Sequence, residues 1–226
     1  MTPSAYREIS VGGGNTAQPL ALQKRLNFIR PFLVSGRTRF LDCGCGVGDY
    51  VFALVEELGL EAHGIEFDPE KVERGQAHPE HGHRIRQGDL QDLKLAAAEW
   101  DYAMLNEVLE HVPDDRRALG EVWRVLKPGG LLFLTSPNRW FPFETHGVDL
   151  QLNRRRIRPR IPFVPYIPLR VGNRLFDYWA RNYWQEELRD LVRSAGSRSL
   201  RQATFGRLLN PFLEASPRSS PVSDRC

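Results

Sequence analysis

The run Phe40-Leu-Asp-Cys-Gly-Cys-Gly-Val-Gly-Asp49 sets an acid and three alternating glycines between an apolar stretch and a helix-like one. Glycine has no Cβ and accepts positive φ, so such a loop can bring backbone amides close to a ligand. A dinucleotide fingerprint requires G-x-G-x-x-G. Here the third glycine after Gly44 is Gly48, one place early, and Asp49 stands in its position. Asp42 would also meet a pyrophosphate with like charge. A nucleoside whose far end is a cationic amino acid suits these residues better. The amides of Gly44, Gly46 and Gly48 can meet its carboxylate while Asp42 holds its ammonium, which points to S-adenosylmethionine. The competing reading is a tight turn with no ligand.

Three further positions follow apolar, strand-like runs. Glu66 comes 22 residues after Gly44, where a carboxylate can accept both hydroxyls of a ribose. Its bland alternative is a surface acid. Asp68, two residues on, reads as a helix cap rather than a ligand. Asp89, behind Gly88, can accept from an adenine amino group while Leu90 packs on the ring, although Gly-Asp is also a common turn. Asn106 can approach the amino-acid moiety.

On the acceptor side, methyl transfer from a sulfonium is an in-line displacement. The protein chiefly aligns the partners, and supplies a base only when the nucleophile must lose a proton. His146 is the first candidate base, because imidazole titrates near working pH. Glu144 can orient it or touch the acceptor. His111 is the second candidate, equally able to pack or cap, and Arg139 can bind an anion or lie on the surface. His78, His81 and His83 with Glu80 do not form the four close ligands a structural zinc needs, so no metal is expected. Cys43 and Cys45 read as packing behind the loop.

These residues need a scaffold of alternating elements. Leu22, Leu26, Ile29 and Leu33 predict an amphipathic helix from Leu20 that stops near Pro31. Strands are predicted to end at Leu41 and to span Ala62–Phe67, Arg84–Gln87, Tyr102–Leu105 and Leu131–Thr135. Helices are predicted over Tyr50–Leu58, after Asp68-Pro69, after Asp114 or Asp115, and over Gln185–Arg193. Alternation of this kind describes a doubly wound, mostly parallel α/β sheet. From Pro137 to Trp184 the pattern breaks into prolines, arginines and aromatics, and residues 139–184 are expected to form a cap-like insertion after the fifth strand. Residues 1–19 read as a flexible arm, 20–215 as one domain, and 216–226 as a disordered tail.

The 226 residues, 41% hydrophobic and 26% charged, describe an ordinary globule with neither a membrane-length apolar run nor a secretory leader. Three cysteines fit a reducing cytoplasm. Of the net charge of +3, the stretch Asn153–Arg174 holds seven arginines and no acid, leaving −4 elsewhere. That concentration argues against a general nucleic-acid footprint. It could steer an anionic substrate or touch a membrane surface weakly, although the prolines oppose a regular amphipathic helix.

The chain resembles class I S-adenosylmethionine-dependent methyltransferases of the type 11 group. The resemblance lies in Leu41-Asp-Cys-Gly-Cys-Gly-Val-Gly48, Gly64-Ile-Glu-Phe-Asp68, Gln87-Gly-Asp-Leu90, Asn106-Glu-Val-Leu-Glu-His-Val-Pro113 and Leu126-Lys-Pro-Gly-Gly130. It implies a Rossmann-like sheet with S-adenosylmethionine as cofactor. Asp42 and the glycines would line the methionine end, Glu66 the ribose, Asp89 and Leu90 the adenine, and Asn106 the methionine part. The expected acceptor is a small organic molecule, methylated at an oxygen of an aromatic, natural-product or quinone-like compound. An RNA methyltransferase, a non-catalytic binding module and a nicotinamide oxidoreductase are the alternatives, and no obligate protein partner is inferred. The family sheet ends in an antiparallel hairpin, for which Gly206–Ala215 makes a poor last strand, so a shortened or irregular sheet is expected.

Overall fold

The computed structural model describes residues 19–136, 143–144, 148–150, 156–157, 161–163, 167, 171, 174–178, 181, 183–205 and 210–217. Helix α1 (Pro19–Ile29) precedes β1 (Arg39–Cys43), α2 (Asp49–Leu58), β2 (Glu61–Glu66), α3 (Pro69–Gln76), β3 (Ile85–Gln87), β4 (Trp100–Asn106), α4 (Asp115–Val125) and β5 (Leu126–Thr135). Five short strands follow: β6 (Phe143–Glu144), β7 (Val148–Leu150), β8 (Arg156–Ile157), β9 (Ile161–Pro162) and β10 (Phe176–Tyr178). Helix α5 (Gln185–Ala195) then leads into β11 (Ser197–Phe205) and β12 (Asn210–Pro217).

The main sheet runs β11-β12-β5-β4-β1-β2-β3. Its five strands β1 to β5 are mutually parallel, so the expected doubly wound α/β sheet is present. The expectation of a sheet cut short is overturned. Strand β12 pairs antiparallel with β11 and sets Leu213 to Ala215 against Leu134 to Leu132 of β5. Backbone pairing against an apolar neighbour outweighs the weak strand propensity of this stretch. The strand extends to Pro217, two residues into the predicted tail.

Local chemistry sets the helix starts. Asp68 accepts from the amide of Glu70 at 2.9 Å and Asp114 from that of Arg117 at 3.0 Å, the N-caps of α3 and α4. Side-chain alternation along the strands divides the core into two layers. Phe40, Tyr102 and Phe133 stack under α1 and α2, with centroids 5.9 to 6.3 Å apart, beside Leu26 and Leu54. Leu41, Leu105 and Leu132 pack on the opposite face with Val122 of α4 and Leu188 of α5. No helix among the described residues is long and apolar enough to cross a membrane. Within the predicted cap, β7 pairs with β8 and β10, and β6 with β9. Much of the rest of that segment, residues 1–18 of the arm and residues 218–226 of the tail lie outside the described residues.

Two glycines separate close packing from simple flexibility. A Cβ at Gly64 of β2 would overlap Cys45 Sγ and come within 2.7 Å of Cys45 Cβ, whereas one at Gly120 of α4 would meet nothing within 4 Å. Gly64→Ala should therefore destabilise by roughly 1–3 kcal/mol through overpacking. Gly120→Ala should stabilise by roughly 0.5–1 kcal/mol through helix propensity. Urea unfolding of both variants checks the pair, and equal effects would contradict this packing.

Candidate functional site

The glycine loop emerges at the carboxyl end of β1 and is bolted to β2. The amides of Gly44 and Cys45 donate to Ile65 O at 2.7 and 3.1 Å, and the Gly46 amide donates to Glu66 Oε2 at 2.8 Å. Glu66 Oε1 accepts from the amides of Phe67 and Asp68, both at 3.0 Å. Gly44, Gly46 and Gly48 all have positive φ. Side chains at Gly44 or Gly48 would strike Val108 or Phe52, but a Cβ at Gly46 would meet nothing within 4 Å. The middle of the loop thus faces open space where a ligand can approach the backbone.

Asp42, the last residue but one of β1, is 1% exposed, and its Oδ2 meets no hydrogen-bond donor among the described residues. Burial, then the neighbouring Glu66 charge, pushes its carboxyl up to about 8, against a lesser opposing pull from Arg25. Arg25 of α1 donates to Tyr50 Oη at 2.7 Å and pairs with Glu107 at 3.2 Å, bringing the first helix to the carboxyl edge of the sheet. The sequence showed Arg25 only as a cation flanking an apolar helix face.

The other predicted strand-end residues fall along the same edge. Asp89 follows β3 and accepts from the Gln91 amide at 2.8 Å. Leu90 is buried within the core layer beneath α4, so its side chain is committed to packing there. Asn106 ends β4, and its Oδ1 accepts from the Thr135 hydroxyl at 2.9 Å. The next residue, Glu107, has φ +55, an uncommon conformation for a non-glycine. Its amide donates to both Thr135 O and Thr135 Oγ1 at 3.1 Å, which fixes that turn.

A residue missed from sequence lies just beyond. Glu110 is 3% exposed, and neither carboxylate oxygen has a hydrogen-bond partner of good geometry among the described residues. Burial raises its carboxyl well above the usual range, with Glu107 adding to the effect, and the buried Ser136 lies beside it. An acid between Leu109 and the His111-Val112 pair, after a strand, was the available signal. His111 shares this single 3-10 turn, Leu109–His111, and is half-buried. The returning chain clamps the turn. Arg181 donates to Glu110 O, Pro113 O and Asp115, and the Tyr183 hydroxyl lies 3.0 Å from Asp115.

His146 and Arg139 lie outside the described residues. Glu144 falls in β6, paired with Ile161, and its side chain is outside them too. His78 and His81 stack with rings 5.4 Å apart, and His78 packs on Phe52 at 4.2 Å. No group of ligating side chains arranged for a metal ion occurs among the described residues. Cys43 and Cys45 are free and buried, and burial pushes both thiols up.

Residues 41–134 match the family model described as a methyltransferase domain. A demethylmenaquinone methyltransferase of Listeria welshimeri is 33% identical over 101 residues, covering 42% of this chain and 43% of that protein. A ubiquinone biosynthesis O-methyltransferase of Xanthomonas axonopodis is 34% identical over 119 residues, covering 51% of this chain and 49% of that protein. The chain thus spans less than half the length of these curated relatives. A solved Thermotoga maritima structure, described as an S-adenosylmethionine-dependent methyltransferase and possible histamine N-methyltransferase, superposes with a TM-score of 0.59 at 21% identity. That match covers 88% of this chain and 89% of the other. The sheet has the class I S-adenosylmethionine-dependent methyltransferase fold.

Asp42 carries a stability consequence. Between about pH 4 and 8 the folded protein retains a proton on Asp42 that the unfolded chain, with its ordinary value of 3.8, has released. Stability from this group therefore falls as pH rises through that window. Asp42→Asn should gain stability relative to wild type between pH 5 and pH 8, seen as a widening gap in thermal melts. A constant gap would show that Asp42 ionises normally.

Proposed function

We propose that this chain is an S-adenosylmethionine-dependent methyltransferase acting on a small organic acceptor, at an oxygen of an aromatic or quinone-like compound. The observation that carries the cofactor assignment is Asp42, a buried carboxyl lacking a donor at Oδ2, beside a glycine loop whose centre is open. A ligand bringing an ammonium fits this arrangement, because an opposite charge favours the ionised carboxylate. The bound cofactor supplies an activated methyl group on a sulfonium.

The chain's own residues do the holding. Asp42 takes the ammonium, and Arg25 lends positive charge near the amino-acid end. A carboxylate has about four lone-pair sites, and Glu66 already spends three on backbone amides, which leaves capacity for one ribose hydroxyl rather than the two expected. Asp89 faces the adenine amino group, and Asn106 with the strained Glu107 turn borders the methionine part. His146 acts as the base towards a hydroxyl acceptor, Glu144 orients it or touches the acceptor, and His111 is the second candidate. These roles rest on residue chemistry and position at strand ends.

The named activities of the Listeria and Xanthomonas relatives favour a quinone-like acceptor. Weak contact of the arginine-rich segment with a membrane surface would suit an apolar substrate of that kind, and buried free cysteines suit a cytoplasmic location. Incubating the protein with S-adenosylmethionine and a panel of catechols, phenols and hydroquinones, followed by mass spectrometry, should reveal a singly methylated product. Methylation of RNA alone, or cofactor binding without any product, would overturn the acceptor class.

His146→Ala should lower kcat by roughly 10²- to 10⁴-fold while leaving S-adenosylhomocysteine affinity unchanged. His111→Ala should have a smaller effect. Steady-state kinetics with calorimetry checks this, and wild-type turnover in His146→Ala would remove that residue from the mechanism.

A further inference from the structure

The chain between β3 and β4 forms no helix among residues 88–99. One face of the sheet over β1, β2 and β3 therefore lacks the cover that α4 and α5 give it further along. In its place lies a cleft of about 280 Å³ lined by Arg39, His63, Arg86, Lys94, Glu99 and Trp100 among others. Arg39 is the first residue of β1, and Gly44, where the glycine loop begins, lies about 17 Å further along at a rise of about 3.3 Å per residue. The charged lining of the cleft is set back from the carboxyl edge that holds Asp42 and Glu66, while Leu41, Gly64 and Ile65, close to those acids in the chain, complete its floor.

Its charges are unbalanced. Glu99 binds Arg39 at 2.7 Å, and Glu61 approaches the same guanidinium at 3.7 Å. The Arg39 guanidinium also lies 4.8 Å from the Trp100 ring centre. Those acids are therefore spent on one cation. Arg86 makes no ion pair among the described residues. Arg84, in the turn before β3, donates to the backbone oxygen of Ala62 at 3.3 Å. Lys94 pairs with Asp92 at 2.6 Å, but both side chains are largely exposed and such pairs exchange readily. Arg86 and a movable Lys94 can therefore turn towards one anion in the cleft. Guanidinium forks match the oxygens of a phosphate in paired hydrogen bonds.

We infer that this cleft is a second binding site, for a small ligand bearing a multiply charged phosphate group, independent of the methyl-transfer site. His63 at its centre reports the field. Burial, then the charge of Arg84, lowers its imidazole against the opposing pull of Glu61, with Arg86 and Arg39 adding to the lowering. An anion bound among these cations would reverse part of that shift.

Pyrophosphate titrated calorimetrically into the full chain at low salt is the test, alongside Arg86→Gln and Arg86→Gln/Lys94→Gln. Both positions are exposed, so folding should survive. Wild type should bind, and Arg86→Gln should weaken affinity roughly tenfold, the scale of one charge-assisted hydrogen bond. The double variant should weaken it further, with S-adenosylhomocysteine affinity unchanged in both. The His63 titration midpoint, followed by NMR, should rise when pyrophosphate is added. No binding, binding indifferent to both variants, or an unmoved His63 would overturn the site. Citrate binding as tightly as pyrophosphate would overturn the phosphate assignment.

Discussion

The Glu66 carboxylate is the fastening on which the candidate site depends. By accepting the amides of Gly46, Phe67 and Asp68, it ties the loop after β1 to the end of β2. The two amides donated to Ile65 O complete the attachment, and glycine at position 64 leaves the room that Cys45 occupies. This geometry places a second carboxylate, Asp42, in a buried position beside Glu66. Two acids so close cannot both be ionised cheaply without a cation between or beside them. The loop is consequently stable as a scaffold and electrically incomplete, a combination that favours a positively charged ligand.

Elements from three distant parts of the chain converge on that edge. Arg25 reaches it from α1 and grips Glu107, whose left-handed backbone is held by Thr135 at the end of β5. Arg181 and Tyr183 reach it from the end of the insertion and grip Asp115 and the turn carrying Glu110 and His111. The turn after β4 is therefore fixed from both sides. Any rearrangement of the insertion that moved Arg181 would be felt by His111 and Glu110.

The sequence disclosed whatever depends on local chemistry. Asp68 announced its cap and the next was narrowed to Asp114 or Asp115, periodicity announced β1 to β5 and the helices beside them, and the unusual glycine spacing announced the loop. It disclosed less where the partner is remote. Strand β12 looked poor because its stability comes from pairing with β5, not from its own residues. Glu66 was read as a ribose ligand, whereas much of its bonding capacity goes to amides of the loop it supports. Leu90 looked available to a ring but fills the core. Glu110 passed unnoticed because burial of an acid depends on the packing of the whole edge. Nothing in the sequence singled out Arg86 or Lys94, since the missing helix between β3 and β4 matters only once the sheet face is assembled.

The central claim is that Asp42 waits, protonated, for a cationic ligand. Calorimetry of S-adenosylhomocysteine binding at pH 7, repeated in buffers of different ionisation enthalpy, measures the protons exchanged on binding. With the Asp42 carboxyl raised to about 8, binding should release close to one proton, and affinity should rise between pH 6 and pH 8. Absence of binding, or binding with no proton released and no dependence on pH, would contradict the account.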